Sequence, residues 1–235
     1  MGVLVTRLVD EAEDMELVGL VTEPGRGRAV GEFHPRLPLL GQDEMTAGLP
    51  RGCVIIDFSL AAALEGLLEH AGRLEAPLVS GTTGFTPAQQ AALDTHARRL
   101  PVVHATNFSI GIPALQMVLQ LLARTLPRDF DAAQVETHHR GKLDRPSGTA
   151  KTLAAAFQAQ RGGGEVPTVS QRVGGVVGEH TWTFSDETES LVVTHRAHSR
   201  DAFLRGLLPA VRFVSERRDG LFDLSDVLRD PGSRA

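Results

Sequence analysis

Hydrophobic and polar residues in the first half of the chain follow two alternating spacings. Apolar residues recur every three or four positions, as in an amphipathic helix, over 4–12, 60–71 and 87–100. Short continuous apolar runs, typical of strands buried on both faces of a parallel sheet, occupy 17–21, 53–58, 77–80 and 102–105. This alternation predicts parallel β-α-β units.

Two of these helices carry start signals. Ser59 follows an apolar run and is predicted to cap the helix that extends to about Ala71. Thr86, Pro87 and Gln89 have the spacing of an N-cap, a first helical position and the returning half of a capping box.

The pattern changes after Pro113. We expect helices over 114–126 and 147–161, and strand-like runs over 133–138, 168–173, 180–185 and 190–197. These runs predict a mixed or antiparallel sheet with helices on one face. A last helix is expected over 201–217, with a bend or a late start because an interior Pro209 would cost about 3 kcal/mol. We therefore expect a first domain of 1–108 with 208–235 and a second of 109–207.

Composition excludes several classes of protein. The net charge of −5 argues against a nucleic-acid binder. The single cysteine, Cys53, can form neither an internal disulfide nor a thiolate zinc cluster, which favours a reducing compartment. No apolar run is long enough to span a membrane, and charged residues interrupt the N-terminus, so a cytoplasmic protein without a membrane partner is expected.

A glycine-rich turn near the N-terminus has the wrong spacing for a dinucleotide-phosphate loop. Gly25-Arg26-Gly27 follows a predicted strand, but the prolines after it prevent the helix that such a loop requires, so a surface turn is favoured. Glu23, at the end of that strand, stands where an acidic residue would meet an adenosine ribose. Arg26 and Arg28 would be able to neutralise a 2′-phosphate.

The segment 138–149 carries the strongest chemical signal. It contains three cationic residues against one carboxylate, and it ends where a helix is predicted to begin. The backbone N–H groups of Gly148 and Thr149 would add the positive end of the helix dipole, so the segment predicts an anion site for a small carboxylate. His138 and Lys142 are four residues apart and suit proton donation to an atom that becomes basic during a reaction.

Two other interpretations of this segment stay open. Basic surface loops are common, and one of two adjacent histidines is often a core residue. A zinc site is also conceivable because further histidines follow, but the spacing of known zinc motifs is absent.

The same residues resemble a known family. The run from Glu136 to Ala150 is similar to the E-x-H-H-x-x-K-x-D-x-P-S-G-T-A signature of the dihydrodipicolinate reductases. Further segments resemble that family in the same order, namely Gly81-Thr82-Thr83-Gly84, Asn107-Phe108-Ser109-Ile110-Gly111, Arg172-Val173-Gly174-Gly175, Gly178-Glu179-His180, Thr194-His195-Arg196-Ala197 with Ser199-Arg200, and Gly220-Leu221-Phe222.

The resemblance implies an α/β fold, with a Rossmann-like dinucleotide-binding domain and an α+β substrate and oligomerisation domain. It implies reduction of a cyclic dicarboxylate imine by NADPH or NADH in lysine and diaminopimelate biosynthesis. His138 would exchange the proton, Lys142 would be a second donor, and His139, Gly148 and Thr149 would hold a substrate carboxylate. The residues implied at the cofactor are Glu23, Gly81, Thr82, Thr83, Ala105, Thr106, Asn107 and Phe108. The family is usually a homotetramer built through the sheet of the substrate domain.

The chain departs from the family at its start. The family begins with a strand and G-x-x-G-x-M-G, and only Met1-Gly2 coincide with the end of this motif. Because that strand is central in the sheet, we expect a gap and no pyrophosphate cradle. Either the start was assigned at an internal methionine, which we favour, or a truly shortened chain binds its cofactor weakly. Pro24 stands where the family often has arginine, so the choice between NADPH and NADH stays open.

Two alternatives to this reductase remain. One is another imine or semialdehyde reductase on the same scaffold. The other is a degenerate protein that binds a dicarboxylate without turnover.

Overall fold

A computed structural model of the chain describes residues 1–25, 34–230 and 232. The predictions for Arg26 and Arg28 lie outside these residues. The molecule divides into two compact units, one formed by Met1–Phe108 with Leu204–Ala235 and the other by Ser109–Phe203.

The first unit alternates short strands with helices. Its helices are α1 (Gly2–Asp10), α2 (Met45–Gly48), α3 (Leu64–Leu74), α4 (Pro87–Ala97), α7 (Leu207–Ser215) and α8 (Leu224–Arg229). Its strands are β1 (Leu20–Thr22), β2 (Leu39–Gly41), β3 (Ile55–Asp57), β4 (Leu78–Ser80), β5 (Val102–His104) and β10 (Leu221–Phe222). All strand pairs in this unit are parallel, as the alternation predicts.

The parallel strands form two separate sheets. β1 pairs with β2, and the order β10-β5-β4-β3 makes the second sheet. In the described residues no ladder joins β1 to β3, and a cavity of about 1670 Å³ lies between them, lined also by α1. The gap expected from the sequence is therefore present. None of the residues 138–149 lines this cavity, so it is a break in the sheet and not the anion site.

The capping box at Thr86 is confirmed, since Thr86 Oγ1 accepts from the N–H of Gln89 and Gln89 Oε1 accepts from the N–H of Thr86. The prediction for Ser59 is wrong. A turn of 3₁₀ helix over Ala61–Ala63 leads into α3, and the N–H of Ser59 donates to Asp57 instead. The predicted last helix begins late, with the 3₁₀ segment Arg200–Leu204 and then α7, so Pro209 lies in the first turn, where its missing N–H does not break a bond.

The second unit is a mixed sheet with helices against one face. Its helices are α5 (Gly111–Thr125) and α6 (Gly148–Arg161), and its strands are β6 (Asp131–His138), β7 (Thr168–Arg172), β8 (Gly178–Ser185) and β9 (Ser190–Ala197). The strand order is β7-β6-β8-β9. β7 is parallel to β6, whereas β8 is antiparallel to both β6 and β9.

The core of the second unit lies between this sheet and the two helices. Trp182 and Phe184 of β8 are almost fully buried and pack against Phe157 of α6 and Leu119 of α5. Because side chains alternate across a strand, residues 134, 136 and 138 of β6 share this buried face with residues 180 and 182 of β8. This packing sets the side chains of Glu136 and His138 on the buried face of β6.

Candidate active site

The candidate site begins at the C-terminal end of β6. Glu136 and His138 are two residues apart, so they lie on the same face of the strand, and both are buried. Glu136 Oε2 lies in hydrogen-bond contact with Nδ1 of His138. The other carboxylate oxygen, Oε1, accepts the N–H of Ser147 at 3.3 Å.

Arg172 completes the surroundings of Glu136. Its Nη1 and Nη2 donate to Oε2 and Oε1 of Glu136 at 3.0 and 2.8 Å, which is a bidentate pair. Burial alone would raise the pKa of Glu136, but the hydrogen bonds from Arg172, Ser170 and His138 outweigh burial and lower it to about 2. Glu136 is therefore a carboxylate at neutral pH and can only accept hydrogen bonds.

An ionised Glu136 fixes the tautomer of His138. Since the carboxylate only accepts, Nδ1 of His138 must carry the hydrogen. The remaining nitrogen, Nε2, faces Gly178, where a Cβ atom would approach it to 3.2 Å. Burial lowers the pKa of His138, the charges on Lys142 and Arg172 lower it further, and Glu136 raises it without reversing the shift.

Lys142 lies in the loop that follows β6. Its Nζ is 2.8 Å from Oδ1 of Asp144, and its positive charge is close enough to lower the pKa of His138. This lysine also holds the pKa of the Asp144 carboxyl below its usual range. The structure thus brings His138 and Lys142 into one electrostatic neighbourhood.

The N-terminus of α6 adjoins this loop. Ser147 is the N-cap, with its Oγ accepting from the N–H of Ala150 at 3.1 Å. The first turn has no intrahelical acceptors for the N–H groups of Gly148 and Thr149, and that of Gly148 donates to Asp144. Gly148 is exposed, and His139 and Thr149 are half-buried.

Two further histidines, which sequence analysis left without a role, lie near His138. The ring of His180 meets the ring of His138 edge-on at 5.3 Å, and its Nε2 is 3.4 Å from Oγ of Ser147. Burial, together with the charges on His138 and His195, lowers the pKa of His180 to about 4, so it is neutral at pH 7. His195 lies 6.4 Å from His180 between ring centroids.

Glu136 and Arg172 had no predicted role, although both stand in segments that resemble the family. Strand alternation alone would place Glu136 on the face of His138. The sequence carries no comparable signal for Arg172, because its approach depends on the pairing of β7 with β6, which sets it opposite His138.

The predicted cofactor residues lie in the first unit, at the carboxyl ends of parallel strands, the edge where such sheets bind ligands. Gly81, Thr82 and Thr83 follow β4, the segment 105–108 follows β5, and Glu23 follows β1. Glu23, Thr83 and Thr106 are exposed. Only glycine fits at Gly81, because a Cβ atom there would lie 2.2 Å from the ring of Phe58.

Two of these residues have inward-facing side chains. Thr82 Oγ1 donates to the buried Asp57 carboxylate at 2.8 Å, and Ser80 Oγ donates to the same carboxylate oxygen at 2.8 Å. Phe108 is fully buried in the core and packs on Phe58 at 5.7 Å between ring centroids. Thr82 and Phe108 therefore shape the strand ends, and a cofactor contact by either stays a prediction.

Within 1–25, 34–230 and 232, no group of His, Cys, Asp and Glu side chains is arranged to hold a metal ion. Over the same residues, no helix is long and apolar enough to cross a membrane.

Comparison with known proteins identifies the family. The family model described as "Dihydrodipicolinate reductase, N-terminus" matches residues 1–108, and the model described as "Dihydrodipicolinate reductase, C-terminus" matches residues 111–228. The chain belongs to the dihydrodipicolinate reductase family. The first match covers most of the parallel-strand unit, and the second covers the mixed sheet with the residues around His138.

Curated relatives in this family are similar over most of the chain. A 4-hydroxy-tetrahydrodipicolinate reductase of Stenotrophomonas maltophilia is 40% identical, over 97% of this chain and 93% of that protein. The enzyme of the same name from Syntrophus aciditrophicus is 33% identical, over 97% of this chain and 94% of that protein.

Among solved structures, the dipicolinate-bound dihydrodipicolinate reductase of Paenisporosarcina sp. TG-14 superposes with a TM-score of 0.78. It is 22% identical and covers 95% of this chain and 93% of that one. This likeness supports the fold, a Rossmann-like parallel-sheet unit joined to a mixed-sheet unit.

Proposed function

We propose that this chain catalyses the NAD(P)H-dependent reduction of 4-hydroxy-tetrahydrodipicolinate to tetrahydrodipicolinate, in which the 4-hydroxyl group leaves as water, a step of lysine and diaminopimelate biosynthesis. The observation that carries the proposal is the His138 ring, fixed by an ionised Glu136 and standing beside the charge of Lys142. Membership in a family of NAD(P)H-dependent oxidoreductases, and the relatives named for this reaction, support it.

In this proposal His138 and Lys142 supply protons. Reduction of the ring leaves an electron-rich centre that must take up a proton, and nearby cationic groups stabilise the charge that develops before it arrives. Nε2 of His138 is the nitrogen left for this exchange because Nδ1 is bound to Glu136, and it donates from the imidazolium, in which both ring nitrogens carry a hydrogen. Lys142 would add positive charge and serve as a second donor.

A substrate carboxylate would bind at the N-terminus of α6. His139, Gly148 and Thr149 are proposed to hold it, using the imidazole and the N–H groups of the first turn. Asp144 already accepts from Gly148 and pairs with Lys142. A dicarboxylate would therefore compete with Asp144 for the same donors, which links substrate binding to release of Lys142.

The residues at the carboxyl ends of β1, β4 and β5 fit a nicotinamide cofactor. Gly81 brings the loop after β4 close to the ring of Phe58, and the Asp57 network holds that loop in place. We propose that the cofactor is held by Glu23, Ala105, Asn107 and the loop 81–83, with Thr106 and Phe108 at the same edge. When bound, NADH or NADPH supplies a hydride.

The domain roles, the assembly and the compartment are also proposals. The unit of parallel strands would bind the dinucleotide, and the mixed-sheet unit would bind substrate and form a homotetramer through its open face. Val169 and Val192 on that face are more than half exposed, which favours an interface there. Cytoplasmic location is proposed because the relatives are biosynthetic enzymes.

The test combines binding with turnover. Purified protein should be stabilised against heat by dipicolinate and should oxidise NADH or NADPH when freshly generated substrate is added. Thermal protection without oxidation of either cofactor would favour the binding protein without turnover. If dipicolinate gives no thermal protection and neither cofactor is oxidised, the whole proposal is overturned. Preferential reduction of other imines would favour a related reductase.

A further inference from the structure

The guanidinium of Arg172 joins two parts of the candidate site. On one side it binds both oxygens of Glu136, which in turn binds His138. On the other side its Nε donates to the carbonyl of Lys142 at 3.2 Å and its Nη2 donates to the carbonyl of Asp144 at 2.5 Å. One side chain thus contacts the partner of the histidine and the backbone of the lysine loop.

The environment of Arg172 makes these contacts specific. Its side chain is 3% exposed and that of Glu136 is fully buried, so neither can exchange its partner for water. The backbone reinforces the link, because Val173 donates to the carbonyl of His138 at 2.9 Å and Arg140 donates to the carbonyl of Gly174 at 3.1 Å. Backbone hydrogen bonds in both directions therefore connect the start of the loop that carries Lys142 to the residues just after β7.

We propose that Arg172 is a positioning residue that sets His138 and Lys142 together, holding the imidazole through Glu136 and the lysine loop through two backbone carbonyls. This inference rests on the proposed function, in which those two side chains supply protons. Only arginine can make all of these contacts, because a planar guanidinium presents five donors and can bind a carboxylate and carbonyls at once. A lysine has the same charge but a single nitrogen.

The decisive variant is Arg172→Lys, compared with Arg161→Lys. Arg161 is also a buried arginine of this unit, and it donates to the carbonyls of Leu126, Pro127 and Phe130, away from Glu136. Both variants should lower the melting temperature. We expect only Arg172→Lys to lower kcat, by roughly 10- to 100-fold, because small misplacements of reacting groups slow a reaction by such factors. The dissociation constant of dipicolinate should change less than about threefold.

A second variant separates positioning from structural support. The groups that face His138 are Glu136 on its own strand, Arg172 on β7, His180 on β8 and Lys142 in the loop. Glu136 raises the pKa of His138, so Glu136→Gln should move the alkaline limb of the kcat profile to lower pH. A structural role for Glu136 would lower the amount of folded enzyme and leave that limb in place.

A measurement on the unaltered protein keeps the proposal testable if Arg172→Lys and Glu136→Gln fail to fold. Two-bond ¹H–¹⁵N spectra should show His138 with its hydrogen on Nδ1, and the hydrogen on Nε2 would overturn the proposal. Equal kcat values for Arg172→Lys and Arg161→Lys, with an active unaltered enzyme, would overturn this inference alone. An inactive unaltered enzyme would overturn the proposed function and this inference with it.

Discussion

At the scale of single residues, the site depends on which groups are charged. Glu136 stays ionised although buried, because a guanidinium and an imidazole donate to it. His138 and His180 have pKa values below the ordinary range, chiefly because burial disfavours the imidazolium. A histidine that is neutral at rest can take up and return a proton near neutral pH, whereas His180 stays neutral throughout.

Replacing His138 by glutamine should lower kcat by about 10²- to 10⁴-fold, the usual contribution of a positioned acid or base. Binding of dipicolinate should change far less, because the carboxylate contacts are proposed elsewhere. Steady-state kinetics and calorimetry measure the two quantities. His198→Gln, at an exposed position of the same unit, is the control and should retain full activity. An unchanged kcat in His138→Gln would refute the assignment.

His180 makes stability dependent on pH. The unfolded chain protonates this histidine near its ordinary pKa of 6.5, and the folded chain only near 4. The unfolded state therefore binds more protons in this window, and stability falls as pH drops from about 6.5 to 4, by about 3 kcal/mol from this residue. His138 and His195 act in the same direction.

The variant His180→Gln tests this dependence. Urea unfolding at pH 7 and pH 4.5 should show a smaller loss of stability on acidification than in the unaltered chain, by about 2 kcal/mol. The carboxyl of Glu136 contributes only at lower pH, between about 4.5 and 2, so it does not obscure the comparison. Equal losses in the two proteins would contradict the role given to His180.

At the scale of elements, local sequence signals were reliable where the chain supplies its own partner. The capping box of α4 and the N-cap of α6 each use side chains within three residues of the helix start. Gly162 ends α6 in the left-handed region at a φ of 84°, a conformation that glycine adopts without steric cost. The N-cap predicted at Ser59 is wrong because Asp57 accepts the N–H of Ser59, and the helix starts later in the chain.

Removal of the α4 cap gives a prediction of its own. Thr86→Ala should lower the free energy of unfolding by about 1 kcal/mol, because the N–H of Gln89 loses its acceptor, the hydroxyl of Thr86. Thr95→Ala, at an exposed position in the last turn of the same helix, should change stability little or raise it, since alanine has the higher helix propensity. Chemical denaturation of both variants measures the difference, and equal effects would be evidence against the cap.

Other elements lacked a local signal. β2, α2, β10 and α8 were not predicted, because they are six residues or fewer and too short for a hydrophobic period to show. β1 and β3 are shorter than their apolar runs, since a strand extends only as far as a neighbour offers hydrogen bonds. Their partners are set by tertiary packing.

At the scale of the whole molecule, two features matter, namely the gap between β1 and β3 and the open face of the mixed sheet. The parallel strands are split by the cavity between β1 and β3, and the mixed sheet has one face covered by α5 and α6 while the other carries exposed valines. An open apolar sheet face is a typical site of subunit contact. The homotetramer proposed above would bury it.

Val192→Glu should therefore weaken assembly, since it places a charge at the proposed interface. Sedimentation velocity should show the unaltered chain as a tetramer and the variant as smaller species, with helix content by circular dichroism unchanged. Val118→Glu, on the exposed side of α5, is the matched control and should leave the tetramer intact. A monomeric unaltered chain would contradict this prediction.

The longer helices, most of the strands, the parallel character of the first unit, the mixed character of the second and the family could all be predicted from the sequence. These follow from apolar spacing and from motifs within a few residues, where the chain carries its own information. The contacts of Arg172 with Glu136 and with the lysine loop, and the packing of His180 on His138, are set by the tertiary structure. Those contacts join residues 28 or more positions apart, and they depend on strand register and burial, which no local pattern specifies.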